Sequence, residues 1–242
     1  MHIEPGLIDV GKLPLSYITA SSCAAYVLIM TRKAALEIGS MRLIARSCVA
    51  AVLVFAFFEF LPHPSVGVSE VHLILGSMLF LLFGIAPAAM GLAVGLLGQG
   101  LALAPADLPQ YGANLTTLLV PLLCVAVLAR KIIPDGTAYV DVTYRQALAL
   151  STMYQAGIVG WVAFWAVYGR GLGSENMLSV VTFGAAYMLV VLIEPLVDLA
   201  VLAMAKTLSG KHRFNICLQG RVYPAAPSLA QGRNAGLTPG SI

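Results

Sequence analysis

Apolar residues do not alternate with polar ones along this chain; they run in long uninterrupted blocks separated by short polar connections. Seven such blocks can be read. They fall at about 13–30 ("LPLSYITASSCAAYVLIM"), 43–61 ("LIARSCVAAVLVFAFFEFL"), 71–85 ("VHLILGSMLFLLFGI"), 87–104 ("PAAMGLAVGLLGQGLALA"), 114–133, 147–168 and 177–205. A bilayer core is crossed by roughly 20 helical residues, so blocks of this length predict membrane-spanning helices, the third being short for a span. The expected fold is therefore all-α, a polytopic bundle of about seven transmembrane helices over residues 1–213. After about 214 the chain turns Pro/Gly/Ser/Ala-rich without periodicity, "FNICLQGRVYPAAPSLAQGRNAGLTPGSI". That composition cannot bury enough apolar surface to fold, and it predicts a disordered cytoplasmic tail over 214–242.

Composition agrees with the pattern. Hydrophobic residues make up 59% of the 242 and charged residues 10%, against about 25% charged in an ordinary soluble domain. Position matters more than the net charge of +3. Arg32, Lys33, Arg42 and Arg46 follow the first block, Arg130, Lys131 and Arg145 the fifth, and Lys206, Lys211 and Arg213 the seventh, while the opposite connections hold only Lys12 and Arg170. Cationic loops stay in the cytoplasm, which predicts an N-terminus outside and a C-terminus inside. The N-terminus lacks the charged start and small-residue cleavage site of a secretory signal. The multi-pass chain is expected in the cell inner (plasma) membrane.

Several chemistries are excluded. No basic cluster with interleaved aromatics suggests nucleic-acid binding. The four cysteines, Cys23, Cys48, Cys124 and Cys217, are scattered, with no CxxC. There is no GxxxxGK[ST] phosphate loop, no HExxH, and no serine–histidine–aspartate set within the spans, so the chain is not expected to be an enzyme. Gly91 and Gly95 in "GLAVGLLGQG" have the small-xxx-small spacing that lets helices approach closely, a packing signal.

The remaining chemistry lies with the histidines. His212 belongs to the basic flank, whereas His2, His63 and His72 all fall on the outer face in the predicted topology. The opening "MHIEPGLI" is a potential chelator. The α-amine of Met1, the deprotonated amide of His2 and its imidazole Nδ1 can close five- and six-membered rings around an ion that favours a planar nitrogen field, Cu(II) or Ni(II), with Co(II) a neighbour. His72 is the natural fourth donor. Zinc, which prefers tetrahedral ligands, fits this set poorly. Glu59 and Glu70 would add negative potential at the outer mouth. Glu194 and Asp198 are costly in lipid and share a helix face at i, i+4, with Pro195 predicting a kink; a structural or partner-contact role is favoured for this pair over an ion relay.

In chain order, "MHIEPGLI", "GVSEVHLILGSMLFLLFGIAPAAMGLAVGLLGQGL" and "YGANL" resemble the substrate-binding membrane component of cobalt/nickel energy-coupling-factor transporters. That family begins Met-His-Ile before a turn, then carries a Gly/Ser-x-x-His segment, a proline-containing helix start, a glutamine in the next helix and a Gly-Ala-Asn element. The likeness is carried by residues 1–120. Here "EPG" replaces the usual Pro-Asp-Gly, "IAPAA" lacks the usual tryptophan, and Val71 precedes the histidine. The resemblance implies that Met1 and His2 fold into the bundle and bind Co2+ or Ni2+ with His72, supported by Gln99, Asn114 and Glu70. It also implies a membrane coupling protein and cytoplasmic ATPase subunits as partners, with a small accessory membrane subunit, and a link to cobalamin biosynthesis. The alternatives are a self-sufficient secondary metal permease with Glu194 and Asp198 on its ion path, and a non-transporting membrane anchor of a complex.

Overall fold

The structure, a computed structural model, describes residues 2–208 and Val222. Met1, His212 and the tail expected from 214 onward (Val222 aside) lie outside the described residues. The bundle is all-α apart from one small hairpin. Its helices are α1 (Leu13–Ile38), α2 (Ser40–Phe60), α3 (Gly76–Phe83), α4 (Ile85–Ala102), α5 (Tyr111–Ile132), α6 (Tyr144–Arg170) and α7 (Ser174–Leu208). The hairpin pairs β1 (Ser65–Val66) with β2 (Ser69–Glu70).

Six of these helices are long and apolar enough to cross a membrane. The third expected block is different. Only Gly76–Phe83 is helical, a length of about 12 Å, and all eight of its residues are buried. Its continuous apolarity reflects burial among other helices rather than contact with lipid. The stretch 71–75 ahead of it is not helical, and the turn into α3 is made by Leu75 at φ 56°, an unusual conformation for a residue with a branched side chain.

The direction of the helices follows from their contacts. Gly91 of α4 lies on Ala50 of α2, and Gly95 lies on Val54 one turn further on, so α2 and α4 run parallel. A Cβ at Gly91 would stand 2.5 Å from that of Ala50, and one at Gly95 would stand 2.7 Å from Val54 Cγ1. The two glycines act as packing residues that let the backbones approach. Because α2 and α4 are parallel, residues 61–84 must lead the chain back through the bundle between them. The extended stretch and short α3 do this. α6 packs antiparallel on α5, where Trp161 Nε1 donates to Thr116 Oγ1 at 2.9 Å, and its start is a capping box between Thr143 and Gln146.

The N-terminal segment closes one end of the bundle. Ile3 bridges Ser69 as an added edge on the hairpin. Glu4 N donates to Val68 O at 3.2 Å and Glu70 N to His2 O at 3.1 Å. Ile3, Leu7 and Ile8 are buried, worth about 1.5–3 kcal/mol each against roughly 1–2 kcal/mol per residue for ordering the backbone. The balance is close, so the polar anchors decide whether the segment stays in place. Lys12 Nζ donates to the carbonyls of Tyr168 and Gly169, both at 2.9 Å.

Candidate metal centre

His2 and His72 meet inside this closed end, their ring centroids 5.4 Å apart. Both are buried, His2 at 4% and His72 at 1% exposure. The main chain of each is anchored independently of its ring. The carbonyl of His2 accepts from Ser69 Oγ at 2.7 Å, and Ile3 N donates to Asn114 Oδ1 at 3.0 Å. His72 is held by Tyr187 of α7, whose hydroxyl accepts from His72 N at 3.2 Å and donates to His72 O at 3.1 Å. Phe58 packs edge-on against both imidazoles.

One nitrogen of each ring faces a carboxylate. His2 Nδ1 lies 2.8 Å from Asp107 Oδ2, and His72 Nε2 lies 3.7 Å from Glu70 Oε2. His2 Nε2 and His72 Nδ1 are buried without a hydrogen-bond partner, a state that costs about 1–3 kcal/mol per group until something satisfies it. His2, Glu70 and His72 can bring one donor atom each within 4.8 Å of one another. The rings border a cavity of about 180 Å³ also lined by Glu59, His63, Glu70, Gln99 and Asp107. Three carboxylates around a small cavity concentrate divalent cations.

The expected residues are thus distributed as follows. His2, His72, Gln99 and Glu70 share the cavity. Asn114 holds the N-terminal segment in place and does not line it. Gln99 is buried, its Oε1 without a partner. Glu70 stands closer to the histidines than a supporting role requires. His63 joins them, stacked on His72 with centroids 5.1 Å apart and planes 10° from parallel. Asp107 and Tyr187 were not anticipated. The signal for Asp107 was available, since "PADLPQ" is an acidic turn on the same face as His2. Tyr187 gave none, being one aromatic in a long apolar block.

Glu194 lies elsewhere. It is fully buried, and its carboxylate accepts from Ser77 Oγ at 2.6 Å, Ser151 Oγ at 2.7 Å and Gln155 Nε2 at 2.7 Å. It joins α3, α6 and α7, the kind of structural role favoured from the sequence. The side chain of Asp198 lies outside the described residues.

Burial pushes the His2 imidazole below its ordinary value, while Asp107 pulls the other way. The folded protein therefore keeps His2 neutral where the unfolded chain would take up a proton, below about pH 6.5. Stability rises with pH wherever the unfolded state binds more protons. The melting temperature of metal-free protein in detergent is expected to be level above pH 7 and to fall as the pH drops through 6. His2→Gln should make that slope shallower; an unchanged profile would exclude His2 as a contributor.

The structure is a polytopic helical bundle with a buried imidazole pair at one end, where His2, Glu70 and His72 each offer a donor atom that could hold a metal ion. The family model described as cobalt uptake substrate-specific transmembrane region, CbiM, matches residues 2–211, and the chain belongs to that family. It is a multi-pass membrane protein of cobalt uptake, with the plasma membrane as its location, and its family is one of transport and not of enzymes. No curated protein and no solved structure matches the chain.

Proposed function

We propose that this chain is the metal-capturing subunit of an energy-coupling-factor-type ABC transporter. Its substrate is Co2+ or Ni2+, taken up for cobalamin biosynthesis or a nickel-dependent use. The observation that carries the reading is the N-terminal segment folded into the bundle, which buries His2 beside His72 with a free ring nitrogen on each. An ion entering the cavity meets His2, His72 and the carboxylate of Glu70. The Met1 amine and the His2 amide complete a nitrogen-rich set once the His2 ring turns its Nδ1 from Asp107 to the ion. Imidazole suits cobalt and nickel alike. Gln99 and Asn114 support the set, Asn114 through its bond to Ile3 N.

In this reading the chain crosses the membrane seven times, residues 61–84 providing the third crossing. The parallel packing of α2 and α4 favours it, and so does the charge distribution. The N-terminus and metal site then face outward and the basic connections face the cytoplasm. There a membrane coupling protein and ATPase subunits dock, with a small accessory membrane subunit beside the bundle. The ion is released inward by reorientation of the bundle as ATP is hydrolysed by those partners. Cells lacking cobalt uptake test this. The chain expressed with coupling and ATPase subunits should accumulate cobalt, and the chain alone should bind but not accumulate it. Accumulation by the chain alone would favour a self-sufficient permease.

A further inference from the structure

At the end of the bundle opposite the metal site, α5 and α6 leave an open groove of about 420 Å³. Val120, Cys124 and Val127 of α5 line it with Met153 of α6, and Lys131 closes one end. The lining is almost wholly apolar apart from that ammonium. From Gly112 to Leu119 α5 is entirely buried, so the groove begins where the other helices cease to cover it.

Its length and the cation at its end suit one acyl chain with an anionic headgroup. Val120 to Lys131 covers a rise of about 16 Å, close to one leaflet of a hydrocarbon core of roughly 30 Å. A single acyl chain needs one leaflet, with its phosphate at the level of the cation. Arg130 and Arg145 are exposed at the same end and, with Lys131, outnumber the carboxylates of Asp135 and Asp141 in the connection between α5 and α6. The geometry points to a binding site for one anionic phospholipid, an acyl chain lying along Val120–Val127 and its phosphate on Lys131. This reading does not depend on the metal assignment.

Native mass spectrometry of the full chain, released from bilayers holding equal phosphatidylglycerol and phosphatidylcholine, tests it. One phosphatidylglycerol should be retained per chain, preferred about fivefold over phosphatidylcholine, as expected for one cation at the membrane surface. Lys131→Gln, at an exposed position, should lower that preference to what Arg130 and Arg145 sustain. Val127→Trp should fill the groove and expel lipid of either headgroup, in protein whose helical content and monodispersity match the parent. Equal retention of the two lipids, a preference that Lys131→Gln leaves unchanged, or a lipid that survives Val127→Trp would overturn the proposal. So would release of the chain as a dimer without lipid, which would give the groove to a second copy.

Discussion

Replacing His2 by alanine is expected to weaken cobalt binding by purified protein on the order of 100-fold, while leaving the bundle folded. The magnitude takes about 10–16 kcal/mol, the range of structural zinc sites, as a scale and divides it among the four nitrogen donors, roughly 3 kcal/mol each. The substitution removes a ring that borders the cavity but hardly touches the anchors. Ser69 Oγ and Glu70 N bond the His2 carbonyl, Ile3 N bonds Asn114, and Ile3 and Leu7 stay buried. His72→Ala should cost as much for the same reason, since Tyr187 holds the His72 backbone and not its ring. Titration calorimetry with Co2+ measures both. Asn114→Ala should act more weakly, because it loosens the segment carrying His2 without removing a donor. Equal affinity in parent and His2→Ala would place the ion elsewhere.

The second large effect is expected at Glu194, which does not line the cavity. Glu194→Leu leaves Ser77, Ser151 and Gln155 with buried donors aimed at an alkyl group, each costing about 1–3 kcal/mol. A loss of about 3–5 kcal/mol lowers the melting temperature by on the order of 10 °C in a chain of this size. Glu194→Gln keeps an acceptor at one position and should recover part of the loss. The effect reaches the metal site through α7. Tyr187 and Glu194 lie seven residues apart on that helix, and they hold His72 and Ser77 respectively. Glu194→Leu should therefore also weaken cobalt binding, and Glu194→Gln should restore it. A variant as stable as the parent would show that these three bonds contribute nothing to the fold.

The helices themselves were legible because a span announces itself by length and apolarity, and α2, α4, α5 and α6 begin and end within a few residues of their expected positions. The third block was misleading for a physical reason. "GSMLFLLF" is apolar on every side, and a run of that kind reads the same whether its neighbours are lipid or other helices. Only the contacts of Gly76, Ser77 and their neighbours reveal a short helix wrapped by the bundle. The first helix was read as ending near Met30, yet it continues to Ile38, carrying Arg32 and Lys33 on its last turns. A charged end marks where lipid stops, not where a helix does.

The site was legible in its histidines and not in its frame. "MHIEPGLI" and "SEVH" named the two rings that meet, because histidine is scarce in this chain and chelation restricts what a terminal imidazole can do. Their distance depends on the hairpin at Ser65–Glu70 taking Ile3 as an edge, a pairing only two residues long per strand and without a hydrophobic pattern to mark it. Asp107 reaches His2 through a turn between α4 and α5, and Tyr187 reaches His72 across 115 positions of sequence. Such contacts are products of packing and leave no local trace.

If cobalt is held as proposed, its ligands include the rings of His2 and His72. Cobalt-edge X-ray absorption of the loaded protein measures this directly, because imidazole rings scatter at characteristic longer distances. A light-atom shell with outer scattering from two imidazoles is expected in the parent, falling to one in His72→Ala under saturating cobalt. A shell of oxygen donors without imidazole scattering, or a spectrum that His72→Ala leaves unchanged, would contradict it.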